Sequence, residues 1–236
     1  MKFRWLVLVV LVAQCAAALV AQEPERYSNL NRFSGFAEYS NNSNHVRWGV
    51  SQDRKLAELG VTYSRRMPPA LGGLTRYGSW YYEVELIPLA LLRDPTTTVT
   101  ATNYGTFVAR TEKRCTPFSI TVPGVLSVVE ACTGLWTYMG GFKPVGIRYN
   151  FLPSHRVQPF VNQHLGLLVS TRDVPVDNAS SVNFTFEFGA GVELFRDHGR
   201  SISAEYRLHH FSNDYMSTIN PGFDSQFVKV TYSFGR

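Results

Sequence analysis

The chain has 236 residues and a formal net charge of +5 at neutral pH. Setting aside Lys2 and Arg4, which belong to an amino-terminal leader, lowers that to +3, too small an excess to argue a nucleic-acid partner. The length suits one domain, and no phosphate loop, dinucleotide fingerprint or metal-ligand spacing occurs, so neither a cofactor nor a metal is expected.

The leader opens Met-Lys-Phe-Arg and runs apolar from Trp5 to Val20. Ala16-Ala17-Ala18 and Ala21 offer small residues for cleavage, and polar Gln22-Glu23-Pro24 follows. This pattern predicts a secretory signal peptide over residues 1–21, with residues 22–236 as the single remaining domain. Cys15 does not make a lipoprotein site, because Gln14 stands where a small residue is needed. Beyond the leader no run of 18 or more apolar residues occurs, so no transmembrane helix is expected. A membrane-spanning strand needs only about ten residues with every second one apolar, and that weaker pattern is what the rest of the chain carries.

Residues 22–33 read as an extended lead-in. A first strand is expected over Phe33–Ser40, ended by Asn41-Asn42-Ser43-Asn44, and a second over Lys55–Tyr63, ended by Arg65-Arg66 and Pro68-Pro69. Ser79–Leu89 forms the third, and its Trp80-Tyr81-Tyr82 cluster is of the kind that sits at a membrane interface. Residues 91–139 are less regular. Thr96–Thr102 and Phe118–Val129 have strand propensity, but prolines, glycines and two cysteines interrupt them. They read as a long, partly structured excursion between strands three and four, or as one more hairpin. Cys115 and Cys132 are the two cysteines left after the leader. In an exported protein an even pair invites a disulfide, worth roughly 3 kcal/mol of local stabilisation in the loop-entropy account.

From Lys143 the pattern sharpens. Val145, Ile147, Tyr149 and Phe151 alternate with polar or small residues, and Val157–Val169 alternates after the turn at Pro153-Ser154. Residues 173–181 read as a loop. Then Phe184, Phe186, Phe188, Ala190, Val192 and Leu194 face one way, and Asn183, Thr185, Glu187, Gly189, Gly191 and Glu193 the other. Glycines favour the crowded inner side of a small barrel, which puts the polar face inside and phenylalanine in lipid. By the same parity His164, Glu205, Arg207 and His209 face inward. The final run ends Val228, Val230, Tyr232, Phe234, in the manner of an outer-membrane barrel's last strand. The expected fold is all-β: an eight-stranded antiparallel transmembrane β-barrel with a long structured excursion between strands three and four.

The chemistry concentrates in Tyr206-Arg207-Leu208-His209-His210-Phe211-Ser212-Asn213, followed by Asn220-Pro221-Gly222-Phe223-Asp224. His210 and Ser212 continue the apolar face of their strand, and counting back from Val228 puts Asp224 on the matching face of the next. A histidine and a serine in phase, with a carboxylate across the hairpin, can form a relay in which the imidazole takes the hydroxyl proton and the acid orients it. Taken singly these residues say little, since His-x-Ser pairs and Asn-Pro-Gly turns end strands in many proteins. Their conjunction at the rim of an apolar face points to an ester in a lipid.

These residues, together with Gly146–Phe151, Gln158-Pro159-Phe160 and Phe188–Gly191, resemble the outer-membrane lipid A 3-O-deacylases of the PagL type. The resemblance covers about the last hundred residues. It implies Ser212 as nucleophile, His210 as base and Asp224, where the family usually has Glu, as orienting acid. Asn213 and Asn220, with backbone donors near Gly222, would stabilise the oxyanion. The implied substrate is lipid A of lipopolysaccharide in the outer leaflet, and the implied location the bacterial outer membrane, reached through the barrel-assembly machinery. Two alternatives remain: a non-catalytic outer-membrane barrel, structural or adhesive, and a soluble periplasmic barrel binding an apolar ligand.

Overall fold

The computed structural model describes residues 27, 29–43, 48–68, 77–124, 126–197 and 199–235, so the signal peptide expected over 1–21 lies outside the described residues. Ten strands follow in chain order: β1 (Asn31–Ser43), β2 (Arg54–Arg66), β3 (Gly78–Ala101), β4 (Gly105–Arg110), β5 (Phe118–Val122), β6 (Leu126–Phe151), β7 (Val157–Val174), β8 (Ser180–Phe195), β9 (Arg200–Ser212) and β10 (Phe223–Gly235). They form one antiparallel sheet in the order β4-β3-β2-β1-β10-β9-β8-β7-β6-β5, and β3 also pairs with β6, so the sheet returns on itself.

The expected eight strands are therefore corrected to ten, and the expected excursion over 91–139 is a regular part of the sheet. β3 and β6 run past their neighbours and stay paired from Gly78↔Phe151 to Ala101↔Val128. β4 is added to the free side of β3 and β5 to that of β6. The breakers that obscure this in the sequence sit where strands tolerate them. Pairing of β2 with β3 ends at Lys55↔Arg93, and pairing of β4 with β3 begins at Thr96↔Arg110. Pro95 lies in that gap, where its missing N–H has no ladder partner to disappoint on that side. Pro88 and Pro144 likewise fall at register shifts, between Ile87 and Ala90 and between Phe142 and Val145. We call the end to which β3 and β6 project the extended end.

The two faces of the sheet have the polarity that parity predicts. Along β8, Phe184, Phe188, Val192 and Leu194 are exposed, whereas Asn183, Thr185, Glu187 and Glu193 are buried. That is the reverse of a water-soluble sheet, whose buried face is the apolar one. The inner face closes over a charge network. Lys143 Nζ lies 2.6 Å from Glu187, 3.2 Å from Glu58 and 3.4 Å from Glu85. Arg207 reaches Glu187 at 2.5 Å and Glu205 at 2.8 Å, and Lys229 reaches Glu85 at 2.5 Å. Nearer the other end, Arg32 and Arg148 share Glu193 at 2.8 and 2.6 Å. Gly189 makes room for this network, since a Cβ there would fall 1.9 Å from Glu205 Oε1. Apolar side chains, among them Leu56, Leu92, Met139, Leu168, Phe211 and Phe223, fill the interior elsewhere.

Several ties hold the extended end, among them Arg54 and a disulfide. Arg54, fully buried, donates to Asp94 at 2.8 Å and to the carbonyls of Gln52, Thr111 and Pro175. Cys115 and Cys132, 17 residues apart, form a disulfide that fastens the approach to β5 onto β6.

Removing one member of a buried ion cluster strands the others, at a cost of about 3–5 kcal/mol. Lys143→Met is expected to lower unfolding stability by that amount in detergent micelles, read from denaturant midpoints; a wild-type midpoint would mean that Lys143 does not hold the glutamates together. Replacing both Cys115 and Cys132 by Ser removes only a local loop constraint of roughly 3 kcal/mol. Limited proteolysis should then cut within 111–125 while leaving β7–β10 intact.

Candidate active site

β9 and β10 pair with His210 directly opposite Asp224 and Phe211 opposite Phe223. On the inner side, the Phe211 and Phe223 rings pack with centroids 4.7 Å apart, which pins this register. On the outer side, Ile202, Tyr206 and Leu208 of β9 are exposed, as are Val228, Val230 and Tyr232 of β10. His210, Ser212 and Asp224 continue these outward sets at the extended end.

The pair is in direct contact: His210 Nδ1 lies 2.7 Å from Asp224 Oδ1. A carboxylate only accepts, so Nδ1 carries the proton, and in the neutral tautomer this contact selects, the lone pair is on Nε2. The second carboxylate oxygen, Oδ2, accepts from the Trp48 backbone N–H at 2.9 Å. The Trp48 ring stands edge-on to the His210 ring at 5.5 Å and to Phe186 at 6.3 Å. Under this cover Asp224 is only 4% exposed although it belongs to the outer face.

Ser212 is half-buried, on the same face and two residues beyond His210. Among the described residues no hydrogen bond joins its hydroxyl to the imidazole. What lies beside both is Gly222, with φ of +50°. A Cβ there would stand 3.5 Å from Ser212 Cβ and 3.6 Å from His210 Cε1. Glycine thus supplies the left-handed turn and also keeps clear the space beside both side chains.

The expected oxyanion donors separate. Asn213 is buried and bonded within its own loop: its N–H donates to Asn220 Oδ1 at 3.0 Å, one side-chain amide hydrogen to Ile219 O at 2.8 Å, and its Oδ1 accepts from Tyr215 N–H at 3.0 Å. These bonds hold Asp214 and Tyr215 in left-handed conformation, with φ of 49° and 59°, which costs about 1–2 kcal/mol per non-glycine residue. Asn220, its oxygen turned to Asn213, presents its amide nitrogen as the donor end, and Gly222 carries the other candidate.

An apolar cavity of about 290 Å³ adjoins the pair, lined by Trp48, Phe186, Phe188, Leu208, His210 and Asp224. Parity alone puts Phe186, Phe188 and Leu208 on the outer face, but nothing local in the sequence brings Trp48 there. It reaches Asp224 from 176 positions away. Two inner clusters, Glu85 with His164 and Glu187, and Glu38 with Glu58 and Glu187, have ligand types that suit a cation. The Lys143 ammonium and the Arg207 guanidinium already stand among these glutamates, so side chains supply the positive charge there.

Against known proteins, a family profile described as "Lipid A 3-O-deacylase (PagL)" matches residues 118–233. No curated protein matches by sequence. Among solved structures, the outer membrane enzyme PagL superposes with a TM-score of 0.48 at 12% identity, covering 87% of this chain and 99% of its own. Neisserial surface protein A does so with 0.47 at 11%, covering 87% and 97%. OprG from Pseudomonas aeruginosa reaches 0.41 at 9%, covering 91% and 100%. The chain carries a specific resemblance to the PagL deacylase family, and the matched residues include all of β9 and the opening of β10 where His210, Ser212 and Asp224 lie.

Proposed function

We propose that the protein is an outer-membrane serine esterase that removes an ester-linked acyl chain from lipid A, at the 3-O position by resemblance. The observation that carries this reading is the His210–Asp224 hydrogen bond at 2.7 Å on an outward, apolar face. A soluble hydrolase would gain nothing from chemistry there. In a membrane that face meets acyl chains, and the cavity beside His210 has the apolar lining that one chain needs.

In this reading the exported chain is inserted by the barrel-assembly machinery with its extended end outward, at the level of lipopolysaccharide. The Ser212 oxygen attacks the ester carbonyl carbon while its proton passes to His210 Nε2. The imidazolium is stabilised by Asp224. Negative charge on the carbonyl oxygen is met by donors from Asn220 and Gly222. Collapse releases the sugar hydroxyl, which takes the proton back from His210. Water, deprotonated by the same imidazole, then frees the fatty acid and restores Ser212. The Ser212–His210 hydrogen bond forms as the substrate settles, since such bonds are commonly long or misaligned before binding. That same missing bond supports a second reading, an outer-membrane protein without catalysis.

Mass spectrometry of lipid A from cells expressing the protein separates the two. Loss of one hydroxyacyl chain is expected, and Ser212→Ala or His210→Asn should lower the rate by about 10⁴-fold or more. Unchanged lipid A with a correctly inserted wild-type protein would support the second reading. Leu208→Trp fills the apolar cavity and should depress turnover of long acyl esters more than short ones, measured on a chain-length series; equal loss across the series would detach the cavity from the acyl chain.

A further inference from the structure

Trp48 and Gly49 belong to none of the ten strands, yet the chain from 48 to 52 is tied down closely. Val50 N–H donates to Pro221 O at 3.0 Å and Ser51 N–H to Gly222 O at 3.1 Å, while Gln52 N–H donates to Glu112 O at 2.8 Å. The segment thus runs as a strap across the start of β10. Its approach is closer than any side chain would allow. A Cβ on Gly49 would fall 2.3 Å from Phe223 Cα, 2.4 Å from Phe223 C and 2.6 Å from Asp224 N, all backbone atoms of the neighbouring strand that cannot step aside.

We infer that this strap is a positioning element for the His210–Asp224 pair, and that the close approach permitted by Gly49 fixes the length of the acid at that of aspartate. Asp224 is held between two donors, the Trp48 N–H at 2.9 Å on Oδ2 and His210 Nδ1 at 2.7 Å on Oδ1. With both oxygens engaged, the carboxylate cannot rotate, and its charge is met by hydrogen bonds on each side. One more methylene has nowhere to go: a glutamate must push the strap outward or turn away from the imidazole. The strap and the acid are therefore matched, and Gly49 sets the match. Trp48 contributes twice, with its backbone to the acid and with its ring as the roof over His210 and Phe186.

The kinetic consequence rests on the esterase reading, and a spectroscopic one does not. In detergent-solubilised protein with isotope-labelled histidine, the Nδ1–H proton of His210 should appear as a low-field resonance, assigned by its loss in His210→Gln. Gly49→Ala should broaden or abolish it. Trp48→Ala keeps the backbone donor and should keep the resonance, whereas Trp48→Pro removes the donor and should lose it. On ester substrate, Gly49→Ala and Asp224→Glu should each lower kcat by about 10²-fold with little change in KM, as displacement of a catalytic partner by about 1 Å does. The decisive variant is the double one. Gly49→Ala displaces the strap, which makes room for Glu, so Gly49→Ala/Asp224→Glu should recover about 10-fold or more over either single change. Losses that simply add, or an unaltered resonance in Gly49→Ala and Trp48→Pro, would overturn the strap's role. Absence of hydrolysis by the wild-type protein would instead sink the esterase reading, and the resonances alone would then decide on the strap.

Discussion

The rest of the molecule depends on where this sheet keeps its charges. Lys143, Arg207 and Lys229 sit inside among Glu58, Glu85, Glu187 and Glu205, each desolvated and therefore stable only with its partners in place. With the ionic side chains turned inward, the outer face is left to Phe, Leu, Val and Tyr over most of its height. A polar group on that face must bring its own partners or lose more by desolvation than it gains. Asp224 meets this requirement with His210 on one oxygen and the Trp48 backbone on the other. The pair tolerates an apolar surface because each carboxylate oxygen is engaged, and of the two nitrogens of the His210 ring Nδ1 is the one that meets a carboxylate.

How much of this could be read from the chain depends on the range of the interaction. Alternation has a period of two residues, so the inward sets of β8 and β9, down to His209, Arg207 and Glu205, are legible residue by residue. The facing of His210 and Asp224 is legible too, because a short hairpin carries the count from one strand to the next. β4 and β5 are not. Pro95, Gly105 and Gly134 look like breaks until it is known that β3 changes partners at Pro95, and that exchange joins segments far apart in sequence. Trp48 is invisible for the same reason. No periodicity marks a loop residue whose backbone, rather than its side chain, makes the bond that matters. Asn213 is a mixed case: its residue type suits an oxyanion donor, and the turn at Asp214 and Tyr215 engages its backbone N–H, its amide oxygen and one of its two amide hydrogens.

The loop from Asn213 to Gly222 shows how local strain and an open site coexist. Two successive left-handed residues turn the chain sharply after Ser212, and Gly222 turns it back into β10. Such conformations persist only where surrounding bonds over-determine them, and the three hydrogen bonds of Asn213 do so. The backbone is thereby fixed where it leaves Ser212, and Gly222 returns it beside Ser212 and His210 without a side chain of its own.

The strap that completes the carboxylate follows β1, while the carboxylate itself begins β10, and β1 and β10 are neighbours only because the first and last strands of the chain pair with each other. Until that seam has zipped, Asp224 has the imidazole but not the Trp48 donor. The site's geometry is thus a property of the closed sheet, because the segment 48–52 and the start of β10 meet across the β1–β10 pairing and not through either strand alone. Under the proposed esterase reading, hydrolysis would therefore be confined to chains whose β1–β10 pairing is complete.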